Sequence, residues 1–95
     1  MSESFDEAYY ANRRSRVTSL IHSFEALFTP EQTDLLVEMV EHNEPGVAVE
    51  MLSAMLLERR ARITQTLFDD LRSLVLSMRL NPEVSDRLRP LVCGD

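Results

Sequence analysis

The sequence predicts an all-α protein, a compact antiparallel four-to-five-helix bundle made by one domain of residues 1–95. Apolar residues recur at intervals of three and four, and no segment alternates apolar and polar residues with period two. The 95 residues include only two Gly and four Pro, so long loops are not expected. Helices joined by a few residues then pack as antiparallel neighbours. Residues 1–4 and 90–95 are expected to be flexible termini.

The first helix is predicted from about residue 5 to residue 28. It follows a capping box, in which Ser4 accepts from the backbone N–H of Glu7 while the Glu7 side chain reaches back. Its apolar residues repeat with helical spacing and should form the inner face. The predicted inner residues are Phe5, Tyr9, Val17, Leu20, Ile21, Phe24, Leu27 and Phe28.

The second helix is predicted from about residue 30 to residue 42. Three start signals coincide: Thr29 is a cap, Pro30 suits the first helical position, and Gln32 completes a capping box. The apolar spacing places one stripe of residues inward. The predicted inner residues are Leu35, Leu36, Met39 and Val40.

Three further helices are predicted, over about residues 45–60, 65–79 and 82–89. Asn43, Pro45 and Gly46 suit the end of one helix and the start of the next, and Thr64 and Asn81 can cap the last two. Each helix carries an apolar stripe that should face the core. The predicted inner residues are Ala48, Met51, Leu52, Met55, Leu56, Leu67, Leu71, Leu74, Val75, Met78, Val84 and Leu88.

Charge is distributed unevenly along the chain. The net charge is -6, which argues against direct binding of nucleic acid, and all ten basic residues are Arg. Residues 17–58 hold eight carboxylates and no Arg or Lys, whereas residues 59–95 hold seven Arg and five carboxylates. The middle of the chain is therefore a long acidic zone.

A row of carboxylates is predicted on the outer side of the second helix. On a wheel of 100° per residue, Glu31, Asp34, Glu38 and Glu41 fall within about 80°, and the row continues to Glu44. Like charges at this spacing cost a few tenths of a kcal/mol per pair, and no cation on the helix offsets them. The row is either a solvated face that keeps the protein soluble or a surface for a basic partner.

Two apolar residues are predicted to accompany the carboxylates on outward faces. Val37 lies beside the row, and Leu57 shares a face of the third helix with Glu50 and Ser53. Apolar anchors ringed by acids suit a tight interface with a cationic protein, because the charges steer the encounter and the anchors hold it. The predicted partner-binding residues are Asp34, Val37, Glu38, Glu41, Glu44, Glu50 and Leu57.

The residues give little support to catalysis, and no catalytic residue, metal site or cofactor is predicted. Neither His22 nor His42 belongs to an HExxH motif or a cysteine–histidine cluster. Glu38 and Glu41 face outward and lack the Glu-x-x-His partner of a di-metal bundle, so a metal-dependent enzyme is the weakest alternative. A DNA-reading helix-turn-helix is rejected, because "VAVEMLSAMLLERR" starts without Arg, Lys, Asn or Gln to read bases.

The expected location is the cytoplasm, without a membrane association. No apolar run approaches the roughly 20 residues that span a bilayer. The segment "MSESFDEAYYANRRSR" has no apolar stretch of signal-peptide type. Cys93 is the single cysteine, so an internal disulfide is excluded.

The segment "HNEPGVAVEML" at residues 42–52 resembles the small helical immunity proteins of bacterial polymorphic toxin systems, in particular the MafI-like group. The similarity rests on the Glu-Pro-Gly corner, the small and aliphatic run after it, and Glu50 with Leu52. It extends over about residues 24–80. The chain departs from that family at "LLERRAR", where an acidic segment is usual.

The resemblance implies an immunity protein, or antitoxin, that neutralises a cognate toxin domain by stoichiometric binding. It further implies that the toxin is a nuclease with a basic surface, which an acidic face of helices two and three would cover. The protein would be a monomer or weak dimer when free. The alternative from another class is a non-enzymatic helical adaptor or self-associating regulatory protein.

Overall fold

Five α-helices connected by short turns make up the described part of the chain. The computed structural model describes the backbone of residues 2–93 and the side chains of residues 11–93. No β-strand occurs within residues 2–93, and the predicted all-α bundle is confirmed. The helices are α1 (Ser2–Ser23), α2 (Pro30–Glu41), α3 (Pro45–Arg59), α4 (Gln65–Ser77) and α5 (Glu83–Asp86).

The first helix ends earlier than predicted. α1 stops at Ser23, and a separate 3-10 turn covers Glu25–Leu27. This change of direction turns Phe24 and Phe28 into the core but leaves Leu27 exposed, so the inward placement of Leu27 was wrong. The predicted capping box of Ser4 and Glu7 and the inward side chains of Phe5 and Tyr9 lie outside the described side chains.

Two of the predicted helix starts are confirmed by hydrogen bonds. At α2, Thr29 Oγ1 accepts from Gln32 N at 3.1 Å, and Gln32 Oε1 accepts from Thr29 N at 3.0 Å. At α4, Thr64 Oγ1 accepts from Leu67 N at 3.1 Å. These side chains satisfy backbone N–H groups that have no partner inside the helix, which explains why the helices begin there.

Three helices end with a residue in the left-handed conformation. Asn43, Arg60 and Arg79 have φ angles of 65°, 50° and 56°. After each of them the next N–H reaches back to a carbonyl five residues earlier, as Glu44 N does to Met39 O at 2.9 Å. This is the Schellman arrangement, which satisfies the last carbonyls of a helix and reverses the chain sharply.

One core joins all the helices. α1 and α3 lie between α2 and α4, since α2 packs on α1 and α3 while α4 packs on α1, α3 and α5. Arg59 at the end of α3 donates to Gln32 at the start of α2, so this pair is antiparallel as predicted. The fully buried large side chains include Ile21, Leu36, Leu52, Leu56, Ile63, Leu71, Leu74 and Leu88.

Most of the residues of α3 and α4 that were predicted to face the core do so, and two further residues of these helices are also buried. Val49 and Phe68 are buried although neither was predicted to be. Met51, Met55, Leu67 and Met78 were predicted inward and are half-buried against the core.

The end of the chain is tied to the loop before α4. Ile63 N donates to Leu91 O, and Cys93 N donates to Ile63 O, both at 3.0 Å. Leu91 and Val92 also pack against the core. Within the segment predicted to be a flexible terminus, residues 91–93 thus contact the loop before α4, because Ile63 offers both a backbone partner and a buried apolar surface.

Candidate functional site

Carboxylates line the solvent side of α2 as predicted. Asp34, Glu38 and Glu41 are exposed, and Glu44 is exposed at the turn into α3. Glu31 in the first turn is exposed too, where a negative charge favours the helix dipole. The outward residues Glu31, Asp34, Leu35, Glu38, Glu41 and Glu44 are called the acidic face below.

The exposed apolar residue of the acidic face is Leu35, whereas Val37 does not belong to this face. Leu35 is 47% exposed, whereas Val37 is half-buried and packs against the core. The prediction of Leu35 as core and of Val37 as an exposed anchor was therefore wrong. The reason is that α2 packs on both α1 and α3, and the side of α2 that these helices cover includes Thr33 but not Leu35.

A shallow cavity lies at the end of the acidic face nearest the turn. It measures about 260 Å³ and is lined by Leu35, Glu38, Met39, His42 and Glu44. Leu35 and Met39 supply apolar wall, and Glu38 and Glu44 supply negative charge. His42 Nδ1 lies 2.9 Å from the carbonyl oxygen of Glu38, so this nitrogen carries the hydrogen and the imidazole is held at the end of α2. Such a cavity can take a cationic side chain with an apolar stem.

The exposed side of α3 is less acidic and more apolar. Glu50 is exposed, and Leu57 is 39% exposed, as predicted. Val47 is 43% exposed as well, and it precedes Glu50 by one turn. The placement of Ser53 on this outer face was wrong, because Ser53 is fully buried and donates to Val84 O.

Glu50 stands apart from the carboxylates of α2. It lines a second cavity of about 260 Å³ with Asn81, Glu83, Val84 and Arg87, in the groove between α3 and α5. The structure thus brings Asp34, Glu38, Glu41 and Glu44 together on one surface. Glu50 and Leu57 belong to the neighbouring surface of α3.

No cation offsets the acidic face within the described side chains. The ion pairs found there are His22 with Glu25 at 3.4 Å and Arg89 with Asp86 at 3.4 Å. Arg59 reaches the start of α2, but it donates to Gln32 and lies 5.2 Å from the centre of the Phe28 ring. The carboxylates of α2 therefore face solvent without a cation partner among these side chains.

Sequence reasoning missed Leu35 and Val47 as exposed apolar residues. Leu35 follows the hydrophobic stripe of its helix, so its exposure has no local signal. The buried side of α2 includes Thr33, which lies opposite Leu35 on the helix. Because Thr33 is polar, the hydrophobic pattern of the sequence could not predict that this side is buried. Val47 lies in a run of small and aliphatic residues in which period alone cannot separate buried from exposed positions.

The described residues contain neither a cluster suited to a metal ion nor a helix suited to crossing a membrane. Within residues 11–93, no three His, Cys, Asp or Glu side chains are grouped so that they could hold a metal ion. In the same part of the chain, no helix is long and apolar enough to cross a bilayer. Comparison with protein-family models, curated proteins and solved structures gives no significant match.

Proposed function

We propose that this protein is an immunity protein that neutralises a toxin domain by binding it with the acidic face and the adjoining exposed side of α3. The observation that carries the proposal is a row of exposed carboxylates that form no ion pair with a cation of residues 11–93, with an exposed leucine in its midst. The resemblance of residues 42–52 to small helical immunity proteins supports the same function.

The arrangement of charge suits a basic partner. Like-charged residues at Glu31, Asp34, Glu38 and Glu41 cost folding free energy, about 0.2–0.5 kcal/mol per neighbouring pair. A cationic surface would remove that repulsion and gain charge-assisted hydrogen bonds. A nuclease domain fits this description, because its substrate cleft is basic in order to hold phosphate. The toxin would then lose access to its substrate by stoichiometric occlusion, without any chemistry by the inhibitor.

The apolar residues suit a lasting complex. Leu35 and Val47 are exposed on α2 and α3, and the half-buried Met39 lies beside Leu35 in the same cavity. Apolar anchors inside a polar rim provide most of the affinity in protein interfaces, whereas rim charges mainly raise the association rate. We expect Leu35 to be the anchor on α2, in place of Val37.

Coexpression with a toxin tests the proposal directly. The neighbouring reading frames are searched for a secreted protein that ends in a small toxin domain, and that domain is produced in cells whose growth is followed. Wild-type protein should restore growth, whereas the triple variant Glu38→Gln, Glu41→Gln, Glu44→Gln should not. Each lost charged hydrogen bond costs about 1.5–3 kcal/mol, so binding measured by calorimetry should weaken at least about a thousandfold.

A matched control removes the same number of carboxylates from the opposite half of the chain. Asp69→Asn, Asp70→Asn, Asp86→Asn changes three exposed residues of α4 and α5, and it should protect like the wild type. Equal protection by both triple variants would show that the acidic face is not the binding surface. Failure of the wild-type protein to bind or protect would contradict the immunity function itself.

A further inference from the structure

A second unusual surface lies on the other side of the molecule, on α4. Leu76 is 53% exposed, more than any other large apolar side chain of residues 11–93. Arg72 lies one turn before it and Arg79 three residues after it, both exposed. Arg72 and Leu76 share one face of α4, and Arg79 follows the end of that helix in the left-handed conformation. The surface formed by Arg72, Leu76 and Arg79, with Arg13 and Arg16 of α1 beside them, is called the arginine face.

Helix α1 adds its own cations to the arginine face. Arg16 Nη2 donates to Ser73 Oγ at 3.2 Å, and Arg13 Nη2 donates to Ser77 O at 3.5 Å. Both guanidinium groups are thereby held beside α4, within one turn of Leu76. Arg16, Arg72 and Arg79 form no ion pair with any described carboxylate. Asp70 lines a cavity together with Arg16, so the positive charge of this surface is concentrated at Arg72 and Arg79, on either side of the exposed Leu76.

The arginine face is complementary to the acidic face of the same protein. One surface places arginines around Leu76, and the other places carboxylates around Leu35. Within one molecule they cannot meet, because α1 and α3 lie between α2 and α4. Between two molecules they can meet, and opposite charges would then close around two apolar side chains.

We propose that the free protein self-associates head to tail, with the arginine face of one copy covering the acidic face of the next. The two surfaces differ, so the contact is heterologous and leaves one unused face at each end of a dimer. A nucleic acid or an anionic membrane is a poorer occupant of the arginine face, since the net charge of -6 repels a polyanion. The proposal does not depend on the toxin.

Sedimentation velocity over a range of concentrations tests the self-association. At about 20 mM salt the weight-average mass should rise with concentration toward and beyond that of a dimer, with a dissociation constant on the order of 100 μM. At about 0.5 M salt the association constant should fall at least about tenfold, because exposed charges are screened. A mass that stays monomeric at every concentration and salt level would overturn the proposal.

Two variants that each lose one face decide whether the contact is head to tail. The double variant Leu35→Gln, Glu38→Gln removes the apolar side chain and one charge from the acidic face. The double variant Arg72→Gln, Leu76→Gln does the same to the arginine face. All four positions are exposed on helices, so folding should be preserved. Each variant alone should be monomeric, whereas an equimolar mixture should form a one-to-one dimer and nothing larger. The exposed Arg62→Gln serves as a control and should associate like the wild type.

Three results would contradict this geometry. A variant that still dimerises alone indicates a symmetric contact elsewhere, and a mixture that stays monomeric shows that the two faces do not bind each other. Binding of the wild type to anionic vesicles that is lost in Arg72→Gln, Leu76→Gln would assign the arginine face to a lipid surface instead. None of these results bears on protection from a toxin, because the proposed toxin-binding surface does not include the arginine face.

Discussion

Two regions of the bundle use charge differently. In the region after residue 58, Arg87 Nε donates to Ser53 Oγ at 3.1 Å, and Arg89 pairs with Asp86 and lies 5.3 Å from the centre of the Phe68 ring. In the region of α2, the exposed carboxylates have no cation partner among the described side chains. Charges of the first kind help to hold elements of the fold together.

The carboxylates of α2 do not connect elements of the fold in this way. They repel one another, and only Glu31, in the first turn of α2, gains a favourable interaction with the helix dipole. A protein that keeps such a row gives up a little stability for a surface that can act between molecules. The difference between the regions therefore separates charge used in folding from charge available for binding.

The largest effect on stability is expected when the buried hydroxyl that joins α3 to α5 is removed. Ser53→Ala leaves the carbonyl of Val84 and the Nε of Arg87 without this partner, so we expect a loss of about 1–3 kcal/mol in the free energy of unfolding. Urea denaturation followed by circular dichroism measures it. The control Ala54→Ser makes the reverse change at the next, exposed position, and it should stay within about 0.5 kcal/mol of wild type. Equal stability of both variants would show that the link between α3 and α5 is unimportant.

A smaller test concerns the left-handed residues that end the helices. Arg60→Gly should raise the unfolding free energy by about 0.5–1 kcal/mol, because the left-handed conformation strains an arginine but not a glycine. Asn43→Gly, at the end of α2, should change it by only a few tenths of a kcal/mol, since Asn tolerates this conformation. Thermal unfolding of both variants measures the contrast. A stabilisation at Asn43 as large as that at Arg60 would contradict the explanation.

The smallest test compares single carboxylates from the two regions. Glu38→Gln relieves repulsion from Asp34 and Glu41, so it should stabilise the protein by a few tenths of a kcal/mol. Asp86→Asn removes the exposed ion pair with Arg89 and should destabilise it by about 0–1 kcal/mol. Both effects should shrink in about 0.5 M salt, and chemical denaturation at low and high salt measures them. Changes of the same sign at low salt would remove the distinction between the regions.

Local interactions explain what could be predicted about the fold. The starts of α2 and α4 were predicted from Thr29 and Thr64, because a cap hydrogen bond spans only three residues. The end of α1 was not predicted, since the chain leaves the helix after Ser23 in order to bring Phe24 and Phe28 into a core built by other helices. The burial of Ser53 was also missed, because its partners are 31 and 34 residues away along the chain.

The candidate site, like the fold, could be predicted from the sequence only in part. The acidic character of α2 and the exposure of Asp34, Glu38 and Glu41 follow from charge and helical spacing, and the structure places all three outward. The apolar anchor does not follow from them. Leu35 and Val37 are both aliphatic and two residues apart, so only the positions of α1 and α3 decide which of them remains exposed.

The sequence by itself determined the all-α class, the capped starts of α2 and α4, and the separation of an acidic zone from the arginines. Each of these depends on residues within a few positions of one another or on charge alone. The tertiary structure decided the rotation of α2, the link from Ser53 to α5, and the contact of residues 91–93 with Ile63. It also placed the acidic and arginine faces on different sides, because the side of a helix that is exposed depends on how many neighbours cover it.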